Sequence, residues 1–349
     1  MNDSSETPDR VDNFNRTEML TYWADHIIIP SMANYNNALI SFVEAKNNFI
    51  ANPDQSSLDT LRSGWLSAYK AWQHISMFDI GKAEELGLRN FVNIYPTDTS
   101  EIHEFIESNQ YNLNLPSTFD AQGFPALDYL LFGLSEDDTE LINQLSIQKY
   151  SQYLSNLVDR LFSLSEQVLL DWQQNYRNIY VQNNGSAATA STDKTVNDFL
   201  FYYEKYFRAG KIGIPAGVFT GNPLSHAVEA PYSGVYSKEL FQEAFTAIKK
   251  FYAGSSFDET QNGPSIQQYL EHVQTLNQLP DISEDILSQW EKIELSAQDL
   301  NDNFREQVDF NNLQMLITYD EIQKAVILLK VDMMQALNIQ VDFVDADGD

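Results

Sequence analysis

Apolar residues recur at alternating steps of three and four along most of the chain, the spacing that turns one face of a helix toward its neighbours. Leu58, Leu61, Trp65, Ala68, Trp72 and Ile75 form one such stripe, with a helix start expected at Ser56 and Asp59 completing a capping-box variant. Tyr150, Leu154, Leu157, Leu161, Leu164 and Val168 form a second stripe. Ile286, Trp290, Ile293, Ala297, Leu300 and Phe304 form a third, and Met315, Tyr319, Ile322, Val326, Leu329 and Met333 a fourth. A shorter run, Phe241, Ala244, Ile248 and Phe251, lies between Ser237 as an expected N-cap and Gly254 as a stop. Near the start, Tyr35, Leu39, Phe42 and Phe49 extend a pattern begun at Trp23 and Ile27, with Pro30 predicting a kink. Strand-type alternation is nearly absent. The pattern predicts an all-α protein of two similar four-helix bundles packed side by side.

The boundary between the bundles is expected at residues 182–192, a small, polar, uncharged stretch with linker composition. That divides the chain into a tether at 1–13, an N-terminal bundle at 14–181, and a C-terminal bundle at 193–349 ending in an acidic tail. Two long stretches interrupt the helical pattern, Phe78 to Leu134 and Gly210 to Ser233. Both mix Gly, Pro, aromatics and isolated charges, as ordered loops carrying sites on a rigid scaffold do.

Composition narrows the function classes. Of 349 residues, 50 are Asp or Glu and 21 are Lys or Arg, a formal net charge of −29. Such a surface repels phosphate backbones and anionic lipid, so nucleic acid is not an expected partner. The absence of cysteine removes disulfides, thiolate metal sites and Cys nucleophiles together. No apolar run is long enough to span a membrane, and the polar, Pro-broken start reads either as the tether of a mature exported chain or as an ordinary frayed cytosolic terminus. No G-x-S-x-G, phosphate-binding Gly-rich loop, dinucleotide fingerprint or H-E-x-x-H occurs.

Candidate chemistry lies in the two interruptions. Asp79 falls four residues after Ile75, at the next seam position of an otherwise apolar helix face, with Lys82 or Arg89 as an ion-pair partner. Gly123-Phe124-Pro125-Ala126-Leu127-Asp128 leads into a short apolar helix, with Pro125 in its first turn and Asp128 one turn along. His226 and Glu229 have the H-x-x-E spacing that puts both on one helix face, although Pro223 and Pro231 leave room for only a turn or two. With Asp128 they are the candidates for holding an iron, zinc or calcium ion. The ending Asp345-Ala346-Asp347-Gly348-Asp349 reads as an acidic tail; the closing Glu of a calcium loop is missing.

Trp65-Leu66-Ser67-Ala68-Tyr69-Lys70-Ala71-Trp72, Phe78-Asp79-Ile80-Gly81 and Tyr95-Pro96-Thr97-Asp98 together resemble the imelysin family, also called insulin-cleaving metallopeptidase-like or iron-regulated protein A-like. Gly123 to Phe132 falls where that family carries its G-x-H-x-x-E segment. The loop around 213–221, Val228-Glu229-Ala230-Pro231-Tyr232-Ser233 and the acidic end resemble Bacteroidetes-type members, and the likeness runs over roughly residues 17–349. It implies two similar helical bundles with a site at their interface. It also implies an envelope location, in the periplasm or as a surface lipoprotein, and a role in iron uptake. Gly123 keeps the hallmark glycine, whereas Pro125 stands at the His position and Asp128 at the Glu position. A zinc hydrolase needs about three protein ligands and a bound water, so the motif does not predict an enzyme.

The expected activity is therefore non-enzymatic binding of a small ligand or metal ion in an inter-domain cleft, in company with an outer-membrane uptake system. The expected lining is Asp79, Asp98, Gly123, Pro125, Asp128, Lys211, His226, Glu229 and Tyr232. Carboxylates there would hold a cation or hydrogen-bond a polar ligand, Lys211 would grip an anion, and Tyr232 would form an aromatic wall. The alternatives are a divergent metal-dependent peptidase using His226 and Glu229, or an envelope adaptor docking a surface transporter.

Overall fold

A computed structural model describes residues 12–343. Among these there is no β-strand, only one antiparallel bridge between Ser255 and Asn262. The elements are α1 (Arg16–Tyr22), α2 (Ile29–Ala51), α3 (Gln55–Gln73), α4 (Lys82–Leu86), α5 (Leu88–Val92), α6 (Thr99–Ser108), α7 (Gly123–Asp128) and α8 (Asp138–Leu145). They continue with α9 (Gln148–Asp171), α10 (Arg177–Gln182), α11 (Ser191–Phe201), α12 (Ser237–Ala253), α13 (Ile266–Asn277), α14 (Ile282–Gln298), α15 (Phe304–Ile327) and α16 (Met334–Leu337).

Every residue of the apolar stripes named above is buried. The three–four pattern therefore marks the packed faces. α2 lies against α3 and α9, α14 against α15, and α3 reaches across to α12. The buried apolar side chains of both halves form one contiguous cluster. Trp23, for instance, meets the Phe251 ring at 5.0 Å, and Phe251 in turn meets Phe78 at 4.8 Å and Phe199 at 5.8 Å. Where α3 meets α12, Lys70 Nζ lies 2.6 Å from Glu239 and 3.0 Å from Glu243, and His74 Nε2 is 3.0 Å from Glu243.

Local details differ from the sequence expectations in instructive ways. The N-cap of α3 is Asp54 rather than Ser56, with a reciprocal capping box to Ser57. Ser237 is the first residue of α12, and its hydroxyl donates to the Glu229 carbonyl at 2.7 Å instead of capping. Gly254 ends α12 in the left-handed conformation, as expected. Pro30 does not break its helix. A π turn over Trp23–Ile28 joins α1 to α2, and such a wide turn already departs from the regular hydrogen-bond ladder that proline interrupts. The helix of α11 also continues further than expected, through a π segment Tyr202–Gly213 into the second interruption.

Residues 183–190 join α10 to α11 as a loop closed by Asn183, which donates to the Thr189 carbonyl and accepts from the Ser191 amide. The tether falls largely, and the acidic tail wholly, outside the described residues. Among the described residues no helix is long and apolar enough to cross a membrane.

Candidate functional site

The site begins at Gly123. The Gln122 side chain, buried, bonds the carbonyls of Leu113 and Thr118 and fixes the approach to α7. Gly123 then turns at φ +75°, against the backbone of α5. A Cβ on Gly123 would lie 2.2 Å from the Val92 carbonyl oxygen, so the helix can start here only on glycine. Pro125 is buried within this first turn, where its missing N–H costs nothing.

Asp128, at the end of α7, is completely buried. Its two carboxylate oxygens accept the backbone N–H groups of Tyr232 at 2.8 Å and Ser233 at 3.0 Å. The carboxylate thus pins the loop preceding α12, and the Tyr232 ring packs 5.0 Å from Tyr129. Burial pushes the Asp128 pKa up to about 7 against these hydrogen bonds. A carboxyl whose folded pKa exceeds its unfolded value of about 3.9 favours folding in its protonated form. Its contribution is full below about pH 4, falls as pH rises toward 7, and is gone above that. Asp128→Asn would set an amide N–H₂ against a backbone N–H and cost about 1–3 kcal/mol. The difference between wild type and variant in urea unfolding should change across pH 4–7 and be constant above it.

Beside Asp128 lies a second closed arrangement. Glu229 is buried and forms an ion pair with Lys211, itself buried at the end of the π segment. The other Glu229 oxygen accepts Asn93 Nδ2 at 2.8 Å and Gln73 Nε2 at 3.2 Å, and Tyr69 donates its hydroxyl to Asn93 at 2.5 Å. The Tyr69 ring stacks on Phe124 of α7 at 4.3 Å, which ties this network to the Gly123 turn. Burial lowers the Lys211 pKa although Glu229 opposes it. Burial and the Glu229 charge both raise that of Tyr69.

The third arrangement surrounds Arg89. Its guanidinium bonds both oxygens of Asp198 at 2.9 Å and the Ser76 carbonyl at 2.8 Å, and lies 4.9 Å from the Tyr206 ring centre. Asp79 donates its backbone N–H to Asp198 at 2.6 Å and stands 3.9 Å from Arg89. Burial raises the pKa of Asp79, and that of Asp198 to about 6 even beside Arg89. Asp79, Arg89 and Asp198 line a cavity of about 250 Å³ together with Lys194, Phe201 and Phe343. One Asp79 carboxylate oxygen is buried without a hydrogen-bond partner.

Of the expected lining residues, the structure brings Asp128, Glu229, Lys211 and Tyr232 together and places Gly123 and Pro125 beneath them. Asp79 lies in the separate Arg89 group, and not on a helix seam: α3 ends at Gln73 and Asp79 is in irregular chain. Asp98 is an exposed N-cap of α6, its Oδ1 accepting the amides of Ser100 and Glu101. His226 and Glu229 do not share a helix face. The short 3₁₀ turn Ser225–Ala227 ends before Glu229, leaving His226 exposed and Glu229 buried. Among the described residues, no three His, Asp or Glu side chains are grouped to hold a metal. Sequence reasoning missed Tyr69, Gln73, Asn93 and Asp198, and treated Arg89 only as an ion-pair partner. Each sits within or beside an ordinary helix, and only the fold gathers them.

These features define a fold that is all-helical among the described residues, in which Asp128, Glu229 and Asp198 link buried polar groups from before and after the 183–190 loop. The chain belongs to the imelysin family, whose model matches residues 28–328. Among solved structures it is similar to a protein from Parabacteroides distasonis described as an iron-regulated protein A precursor. That match has a TM-score of 0.72 and 16% identity, covering 90% of this chain and 94% of the other. An imelysin-like protein from Psychrobacter arcticum matches with a TM-score of 0.71 and 16% identity, covering 94% and 97%. At this identity the likenesses show a shared fold. No curated protein sequence matches.

Proposed function

We propose that this chain is an exported, non-enzymatic binding protein of bacterial iron uptake. In this reading residues 14–181 and 193–349 form two packed bundles, and a small polar ligand occupies the Arg89 cavity between them. The observation that carries the reading is the contrast between the carboxylates. Both oxygens of Asp128 are engaged by backbone amides, and Glu229 is neutralised by Lys211. Asp79 stands 3.9 Å from Arg89 with its side chain 20% exposed on the lining of the cavity. A ligand with a positively charged or hydrogen-donating end would find an accepting carboxylate there.

The family's peptidase chemistry has little to work with here. Pro125 offers no lone pair, and freeing Asp128 would release the loop at Tyr232 and Ser233. The iron association rests on the relative described as iron-regulated protein A, and export on its description as a precursor. Native mass spectrometry of protein isolated without chelators, followed by calorimetric titration of the species found, tests the proposal. Asp79→Asn should weaken binding about tenfold, the loss of roughly 1.4 kcal/mol expected for one charged contact. Binding unchanged in Asp79→Asn would remove the cavity from the account. Peptide hydrolysis abolished by Glu229→Gln would replace the account altogether.

A further inference from the structure

The buried stripe of α15 has a counterpart on its outer face. Leu313, Ile317, Asp320, Lys324, Ile327 and Val331 are all exposed, and their steps of four, three, four, three and four continue from α15 into a π segment, Leu328–Met333. The apolar members are large and open to water: Leu313 is 65% exposed, Ile317 42%, Ile327 54% and Val331 53%. This is the a/d repeat of a coiled-coil seam, about 27 Å long at 1.5 Å per residue. Nothing else in the described chain covers it.

The order of residues along the seam is self-complementary. Laid antiparallel about the midpoint at Ile322, two copies place Asp320 opposite Lys324, Ile317 opposite Ile327 and Leu313 opposite Val331. Each pairing occurs twice, as a two-fold axis requires. The single acid and single base meet in the middle, with apolar layers on both sides. The same register sets Phe310 opposite Met334. Phe310 is 86% exposed at the kink made by Asn311, whereas Met334 lines an apolar groove of about 560 Å³ with Ile327 and Val331. A projecting aromatic on one copy thus meets a groove on the other.

We propose that this face of α15 joins two copies of the chain as an antiparallel, two-fold helix pair. A parallel arrangement would oppose Asp320 to Asp320 and Lys324 to Lys324, so charge selects the antiparallel one. In the single chain Lys324 bonds Glu321 at 2.6 Å yet stays 57% exposed, free to reach the second copy as well. The net charge of −29 opposes association. The dimer is therefore expected near physiological ionic strength, where a Debye length of about 8 Å limits that repulsion.

Sedimentation velocity over a range of concentrations at that ionic strength tests the pairing, with a doubling of mass expected. Lys324→Asp should weaken dimerisation at least tenfold, and Asp320→Lys/Lys324→Asp should restore it. All these positions are on the surface, so folding is spared. Because the chain has no cysteine, Ile317→Cys/Ile327→Cys should form a covalent dimer on oxidation, far more readily than Ile317→Cys alone. A monomer at every concentration without crosslinking overturns the proposal. A dimer indifferent to Lys324→Asp and Ile317→Asp places the contact elsewhere and overturns it too. Failure of the double charge swap to restore a dimer lost in Lys324→Asp overturns the antiparallel register.

Discussion

Gly123→Ala should destabilise the protein by about 3 kcal/mol or more. An alanine at positive φ costs roughly 1–2 kcal/mol, and forcing a methyl into packed backbone adds about 1–3 kcal/mol. The clash is with the Val92 carbonyl, which cannot rotate aside as a side chain would. Relief requires α7 to move off α5, and α7 carries Phe124, on which Tyr69 stacks, and Asp128, which holds the Tyr232 loop. A urea titration should show the midpoint falling with little change in slope. A loss below about 1 kcal/mol would mean that the turn is not held as described.

Lys211→Met should be comparably severe, about 3–5 kcal/mol, because it leaves the Glu229 charge buried without its counter-ion. Asn93 and Gln73 donate hydrogen bonds to Glu229 but carry no charge to take the place of the Lys211 ammonium. The reverse change should be milder. In Glu229→Gln the stranded partner is Lys211, whose pKa burial already lowers, so it can shed its proton. The Gln side-chain oxygen still accepts from Asn93 and Gln73. The double variant Lys211→Met/Glu229→Gln should recover most of the stability lost in Lys211→Met. Equilibrium unfolding of the three variants at pH 7 gives the comparison. Equal losses in both single variants would show that the pair is not asymmetric in this way.

The helical scaffold was legible in the sequence because its signal is local: a residue at i+3 or i+4 reports a buried face whatever it packs against. Trp65, Leu154, Ile293 and Ile322 could all be assigned inward on that basis, and all are buried. The site was legible only where a residue broke the pattern. Asp128 stood out beside Gly and Pro in an apolar run, and Glu229 and Lys211 lay in the second interruption. Gln73 and Asn93 look like ordinary polar positions near helix ends, and their convergence on Glu229 is a long-range fact. His226 misled because H-x-x-E has meaning only on a helix, and the prolines around it leave a 3₁₀ turn too short to carry both residues. Asp98 misled for the opposite reason, since its Oδ1 is taken up in capping α6.

The shared apolar interior has a bearing on how anything could reach the Arg89 group. Binding proteins whose lobes meet over a thin, wet seam can clamp shut by swinging on a hinge. Here Trp23 and Phe78 pack on Phe251, and Phe251 on Phe199, in one apolar interior, so a swing of that kind would have to pull this packing apart. A guest of the proposed sort would instead enter past side chains that line the cavity, such as Lys194, Phe201 and Phe343.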